Sequence, residues 1–484
     1  MNHELFKEKY YNDIDKVSTK NEEEPAYQNN KDYQSLNSEQ LNAFKLMNST
    51  EGNIFLTGNA GTGKSYVVKM FLKYTNYKVA RLAPTGLAAE HIDGKTIHNF
   101  LRLQTDCTNE DLILKDMDFF ILRKLRTKDI ILIDEISMVS SFVLTILSKA
   151  MKKTMKNNKP FGGKKVIVVG DFSQLPPVVS ERRIIEKFKA KYKGVYSFAS
   201  YEWEKANFKY ISLKKVQRQS DEKFIKMLNH LRYGQLVSGD IYSYDLIGMV
   251  EPISPKYLKD NVEEFMNTTF LTPSNEKAKE INNLIFNRIK AEAVSFDSNN
   301  LDYKGKVPAP KKVTVKKGQK VMITKNIYKE KELYLQNGTI GFVHKIRRGK
   351  WVKVRIPSRG DEIVKIERVS WTNKKSFPEK FKSKNGKEYS KVRKEVIGEY
   401  QQLPLKSAYA MTIHKSQGLT LDKVHVFNEK LFAPSQLYVA LSRVKSINDV
   451  TLQVDIKNGQ KMIKPEVYDF YKTHNLFPKE LTSN

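Results

Sequence analysis

Gly58-Asn59-Ala60-Gly61-Thr62-Gly63-Lys64-Ser65 is a complete Walker A pattern, and its residue types suit one task. Glycines let the backbone curl until its N–H groups converge on phosphate oxygens; a lysine adds a point charge for the β- and γ-phosphates, and a serine hydroxyl can join a Mg²⁺ shell. Lys64 and Ser65 are thus the candidate phosphate and metal contacts, with Gly58, Asn59, Ala60, Gly61, Thr62 and Gly63 as the cradle. Further on, the apolar run Ile130-Ile131-Leu132-Ile133 ends in two carboxylates, Asp134-Glu135. There Asp134 can hold Mg²⁺ opposite Ser65, and Glu135 can polarise an attacking water. A third apolar run leads into Gly170-Asp171-Phe172-Ser173-Gln174-Leu175-Pro176-Pro177. In that loop Gln174 can report an intact γ-phosphate, and the proline pair stiffens the exit. ATP and Mg²⁺ are the expected cofactors.

Chemistry of this kind needs strand tips followed by helices. Strands are expected over 53–57, 78–83, 129–133 and 165–169, with helical patterns at Tyr66–Leu72 and Ser137–Ala150. Runs that are apolar on both faces and separated by helices predict a parallel sheet covered on both sides, an α/β fold. The phosphate-binding and carboxylate residues then all lie at the carboxyl ends of the strands, where such sheets bind ligands.

The chain has 484 residues, too many for one typical domain, and 40% hydrophobic content with 25 Phe and 24 Tyr suffices for sizeable cores. Its 84 Lys and Arg outnumber 54 Asp and Glu, a net charge of +30 that favours a polyanionic partner, nucleic acid before anionic membrane. The single cysteine, Cys107, excludes an internal disulfide framework and a cysteine-based zinc site, which suits a reducing compartment. The most apolar runs are strand-length, and the first residues carry acidic side chains without an apolar core, so neither a membrane span nor a secretory signal is expected and an intracellular location is.

Residues 1–35 read as a flexible charged arm, 36–204 as a first α/β lobe with a small insertion near 99–127, and 205–311 as the start of a second lobe. Over 312–402 short β-rich runs with Asn-Gly and Arg-Gly turns predict a small antiparallel barrel or sheet, ending in a Lys-dense stretch, 374–394, read as a basic loop. That loop either adds affinity for nucleic acid or is simply solvated. The α/β pattern resumes over 403–484, which closes with a tail.

Further motifs give the chain a specific resemblance. Leu36-Asn37-Ser38-Glu39-Gln40, Ala83-Pro84-Thr85-Gly86, Gly94-Lys95-Thr96-Ile97-His98-Asn99-Phe100, Val216-Gln217-Arg218-Gln219, Thr412-Ile413-His414-Lys415-Ser416-Gln417-Gly418 and Leu437-Tyr438-Val439-Ala440-Leu441-Ser442-Arg443 occur in the order of a superfamily 1B DNA helicase. The chain most resembles the petite-integration-frequency (PIF-type) family, with RecD-like and Dda-like helicases as relatives, over about residues 36 to 455. The resemblance implies two recA-like lobes with an SH3-like insertion in the second. It implies 5′→3′ movement on single-stranded DNA coupled to ATP hydrolysis, with single-strand/duplex junctions as substrates and roles in DNA replication, repair and recombination. It further implies a monomer or weak associate working beside single-strand-binding or replication proteins.

By the same resemblance Gln40 reads adenine, Arg218 and Arg443 are arginine fingers beside the catalytic Lys64, Glu135 and Gln174, and Gln417-Gly418 couples nucleotide to strand. Pro84, Thr85, Thr96, His98, Phe100, Thr412, His414 and Lys415 face DNA, although an aromatic such as Phe100 is as readily a core residue. The histidines lack partners at metal-ligand spacing. The family's strand-separating pin, expected between 101 and 127, has no clear signature here. A translocase with weak unwinding and a nucleic-acid-binding protein regulated by ATP are the alternative functions.

Overall fold

The apolar runs around the Walker patterns form one six-stranded, all-parallel sheet: β1 (Ile54–Gly58), β2 (Val79–Ala83), β3 (Lys95–Thr96), β4 (Ile130–Ile133), β5 (Lys165–Val169) and β6 (Lys209–Leu213), in the order β3-β2-β4-β5-β1-β6. Alternate residues bury against opposite layers. Ile54 and Leu56 pack with Phe44, Val67 and Phe71, whereas Phe55 packs with Phe172, Trp203 and Phe470. Each such side chain contributes about 1.5–3 kcal/mol by leaving water. Two buried faces explain why these strands read as unbroken apolar runs rather than alternating ones.

The computed structural model describes residues 31–50, 52–103, 114, 119–179, 181–233, 260–304, 307–330, 332–382, 388–428, 435–454 and 463–477. Most of the expected arm, and most of the segment expected to hold a pin, lie outside these residues. What is described of the arm is a short helix, Lys31–Gln34, whose Tyr33 ring meets Phe44 edge-on at 5.5 Å.

A second parallel sheet orders Ala410–Thr412, Thr269–Thr272, Val424–Asn428 and Val450–Val454. One face is covered by the Asn275–Arg288 helix through Ala278, Ile281 and Ile285, the other by the Glu222–Tyr233 helix through Phe224, Met227 and Leu228. The fold is therefore α/β with two recA-like sheets, as the motif order implied.

Between Arg288 and Leu405 the chain builds an antiparallel five-stranded sheet from Lys320–Ile323, Ile340–Arg347, Trp351–Ile356, Glu362–Glu367 and Leu405–Ser407, closed over Val321, Val343, Val352, Val354 and Ile366. Two expectations change here. Of the Lys-dense stretch 374–394, the described residues 374–382 and 388–394 are strand rather than loop: Val369–Lys382 and Glu388–Gln402 pair antiparallel, with one register shift at Asn373/Lys374. Phe377, Phe381, Tyr389 and Val392 among the lysines supply strand propensity, and Asn385-Gly386 is a hairpin-turn signal that the charge density obscured. The tail also returns to the first lobe. The Pro465–Thr473 helix buries Val467, Phe470 and Tyr471 in that core, with Phe470 stacked on Phe198 at 4.4 Å. No helix among the described residues is long and apolar enough to cross a membrane.

Candidate active site

The phosphate loop leaves β1 and enters the Lys64–Tyr74 helix at Gly63, whose φ of 85° is left-handed. A Cβ there would strike the amide of Gln40, and a Cβ on Gly61 (φ 79°) would come within 2.7 Å of Arg218 Cβ. Glycine is needed at both positions for conformation and for space.

Gln40 has two local partners. Asn37 and Gln40 form a capping box at the start of the Ser38–Asn48 helix, with Gln40 Oε1 accepting the Asn37 N–H at 3.1 Å. Its Nε2 donates to the Thr62 carbonyl at 3.0 Å. The residue expected to read adenine thus braces the phosphate loop.

Lys64 Nζ donates to the carbonyls of Gly58 (2.8 Å) and Asn59 (2.9 Å). Burial lowers its pKa to about 8, with Asp171 and Glu135 opposing the fall and Arg232 and Arg218 adding to it. Asp134 Oδ1 accepts the Glu135 N–H at 2.9 Å, which orients the carboxylate. Burial raises the pKa of both carboxylates; Glu135 adds to the rise at Asp134, while Lys64 and Arg443 oppose it at Glu135. Glu135 also holds a left-handed backbone (φ 51°), a strain of the kind that collects at functional sites. Ser65, on the exposed rim, and Asp134 supply the oxygen donors a hard cation takes.

Opposite this surface stand Arg218 and Arg443. Arg218 Nη1 donates to Ser442 O at 2.7 Å, and Arg443 Nε to Val439 O at 2.8 Å. Burial lowers the pKa of both, and the like charge of Arg218 lowers Arg443 further. Two guanidinium groups crowded at a partly buried cleft favour a polyanion between them. The cleft measures about 370 Å³ and is lined by Ala60, Gly61, Gly63, Lys64, Ser65, Asp134, Glu135, Gln174, Arg218, Gly418 and Arg443 from the expected set. Thr420, Lys445 and Gln217 line it as well and were not anticipated. Each had a signal: Gln217 adjoins Arg218, Thr420 lies two residues past Gly418, and Lys445 two residues past Arg443. Gln417 reaches across from the second lobe, its Nε2 donating to Glu135 Oε2 (2.9 Å) and Gln174 Oε1 (3.3 Å). Asn59 and Thr62 are buried in the loop.

The residues expected to face DNA fall into two groups. Ala83 and Thr96 are register partners, so the segments carrying Pro84 and Thr85 and carrying Thr96 and His98 leave the same sheet edge. Thr85, Thr96 and Thr412 each N-cap a short helix, accepting the N–H of Ala88, Asn99 and Lys415 at 3.2–3.3 Å. His414 is half-buried beyond Thr412, and the exposed Lys415 donates to Asn275 Oδ1 at 2.7 Å. Burial lowers the pKa of His98 and of His414. Phe100 is buried, 7% exposed among Ile97 and Leu101, the core placement that its sequence also allowed. The Asn337-Gly338 turn of the antiparallel unit meets the first lobe, Asn337 Nδ2 donating to Glu90 Oε2 at 2.6 Å.

Two parallel sheets, a phosphate loop on one, Arg443 from the other and Arg218 from the segment that joins them define a two-lobed P-loop nucleotide hydrolase. Comparison with known proteins narrows that class. The family model for PIF1-like helicases matches residues 35–240, and one described as a helicase matches 396–465. The ATP-dependent DNA helicase Pif1 of Bdellovibrio bacteriovorus is 30% identical over 450 residues, covering 90% of this chain and 92% of its own length. Pif1 from Bacteroides sp. has been solved in complex with ADP-AlF4 (TM-score 0.70, 27% identity) and bound to ssDNA (TM-score 0.64, 26% identity). Each match covers 91% of this chain and 97% of that one. The chain belongs to the PIF1-like helicase family and is an ATP-dependent helicase.

Proposed function

We propose that the substrate is DNA, that the enzyme moves 5′→3′ on single strands, and that it opens duplex at single-strand/duplex junctions by hydrolysing ATP between its lobes. The polarity follows from the family resemblance; the observation that carries the coupling of hydrolysis to the strand is the Gln417 amide, bonded at once to Glu135 and Gln174 and three residues from His414 on the segment assigned to DNA. A residue so placed feels both the γ-phosphate and the strand. The ssDNA-bound Bacteroides structure and the +30 charge support DNA as the track.

In this reading the first lobe spans 36–204 with an insertion near 99–127. The second spans 205–311 and 403 onward, interrupted by an SH3-like unit at 312–402, and residues 463–477 return to the first. Lys64 and the loop N–H groups hold the triphosphate. Ser65 and Asp134 hold Mg²⁺, which when bound neutralises charge on the phosphate oxygens. Glu135 orients and deprotonates the attacking water, and Gln174 senses the γ-phosphate. Arg218 and Arg443 stabilise the charge that develops as it leaves. Gln40 positions the loop by holding Thr62. Thr85, Thr96 and His98 on one lobe, and Thr412, His414 and Lys415 on the other, grip the backbone in turn as the cleft closes and reopens.

The test is strand displacement with ATP on 5′-tailed and 3′-tailed duplexes. Unwinding of the 5′-tailed substrate alone is expected; preference for the 3′ tail would reverse the polarity, and turnover without unwinding of either would favour a translocase.

A further inference from the structure

The carboxylate of Asp171 and the guanidinium of Arg232 are buried, at 0% and 1% exposure, yet neither lines the nucleotide cleft. Arg232 Nε donates to both Asp171 oxygens at 3.1 Å. Its Nη1 donates to Asn59 Oδ1, and its Nη2 to Thr57 Oγ1 at 3.4 Å, so it supports the phosphate loop from behind. Asp171 Oδ1 also accepts the Ser173 N–H at 3.2 Å, and the Asp171 carbonyl accepts the Gln174 N–H at 2.9 Å, which shapes the turn presenting Gln174.

Two tyrosines complete the cage. Tyr438 donates to Asp171 Oδ2 (3.1 Å) and accepts the Ala60 N–H (2.9 Å), on the short helix that leads to Arg443. Tyr471, from the C-terminal helix, donates to Asp171 Oδ1 (2.9 Å) and accepts the Phe172 N–H (2.9 Å). Burial alone would raise the Asp171 pKa, but Arg232, Lys64 and Tyr471 hold it below the ordinary carboxylate value.

A buried ion pair is a poor device for stability, since apolar residues of equal volume serve as well. What this pair has is direction. It joins the phosphate loop, the Gln174 turn and the segment bearing Arg443, which come from distant parts of the chain and must meet one triphosphate together. We propose that Arg232 is a positioning residue for ATP hydrolysis, acting through Asp171, and that Tyr471 makes the C-terminal helix part of the same frame. The proposal rests on the ATP-hydrolysing reading above.

Arg232→Lys keeps the charge and loses the fork; Tyr471→Phe removes one hydroxyl; Met227→Ala deletes core volume from the Arg232 helix and serves as the control. For each, kcat and KM for ATP are measured with saturating oligonucleotide, beside oligonucleotide affinity and Tm. Misplaced reacting groups lower the rate more than binding. For Arg232→Lys and Tyr471→Phe, kcat is therefore expected to fall about tenfold or more, with KM and oligonucleotide affinity within about threefold of wild type. Met227→Ala should lower Tm with kcat retained. The proposal is overturned if Tyr471→Phe keeps wild-type kcat, or if kcat follows Tm across all three variants. Should Arg232→Lys fail to fold, Tyr471→Phe decides alone. Wild-type protein without oligonucleotide-stimulated turnover would instead sink the helicase reading, a separate outcome.

Discussion

At the residue scale, the side chains assigned to DNA divide by charge. The threonine oxygens of Thr85, Thr96 and Thr412 accept helix N–H groups, which leaves each hydroxyl proton free to donate to a phosphate. His98 and His414, their pKa values lowered by burial, are neutral near pH 7 and offer hydrogen bonds rather than charge. Lys415 is exposed and charged. Counterion release depends on cations alone, with a slope of about 0.7 per phosphate neutralised on single strands. Lys415→Ala should therefore reduce the slope of log affinity against log salt by about 0.7. His414→Ala should weaken binding at every salt concentration and leave the slope unchanged. Fluorescence anisotropy with an oligonucleotide separates the two, and equal slope changes would refute the division.

At the element scale, the antiparallel unit is tied to the second lobe by a buried lysine. Lys320 Nζ donates to Asn267 O (3.1 Å), Thr268 O (3.2 Å) and Thr269 Oγ1 (2.9 Å), and burial lowers its pKa to about 8. An unfolded chain keeps that proton to about pH 10.4. Between the two values the unfolded state binds more protons, so this group adds stability as pH rises from about 8 toward 10.4. Wild type should gain Tm relative to Lys320→Met across that window, and parallel Tm–pH profiles would contradict it. Sequence legibility also divides at this scale. β1, β4 and β5 were readable because both their faces are buried, which leaves a continuous apolar signature. The pairing of Val369–Lys382 with Glu388–Gln402 was not, because lysine density outweighed the Asn-Gly sequence and the aromatic residues among the lysines. The motif singled out Gln40 for adenine, but its two bonds, to Asn37 and Thr62, depend on a helix cap and a loop that meet only in space.

At the scale of the whole molecule, Gln417 of the second lobe touches Glu135 and Gln174 of the first, the contact proposed above to couple nucleotide to strand. Coupling between sites is typically worth about 1–3 kcal/mol, or roughly 5–150-fold in affinity. Gln417→Ala should accordingly cut the stimulation of ATP turnover by oligonucleotide about tenfold while retaining the turnover seen without it; ATPase assays with and without oligonucleotide measure both, and unchanged stimulation would remove Gln417 from the coupling path. The sequence by itself determined the phosphate loop, the paired carboxylates and the order of the motifs, because strand–loop–helix chemistry is local and each signature sits within about ten residues. Only the tertiary structure decided which arginine supports the phosphate loop from behind, that Phe100 is core, and that residues 463–477 belong with the first lobe. Arg232 meets Asp171 across 61 positions, and Tyr471 meets it across 300. Contacts at such separation are set by how two sheets and a returning helix pack, and that packing leaves no local periodicity to read.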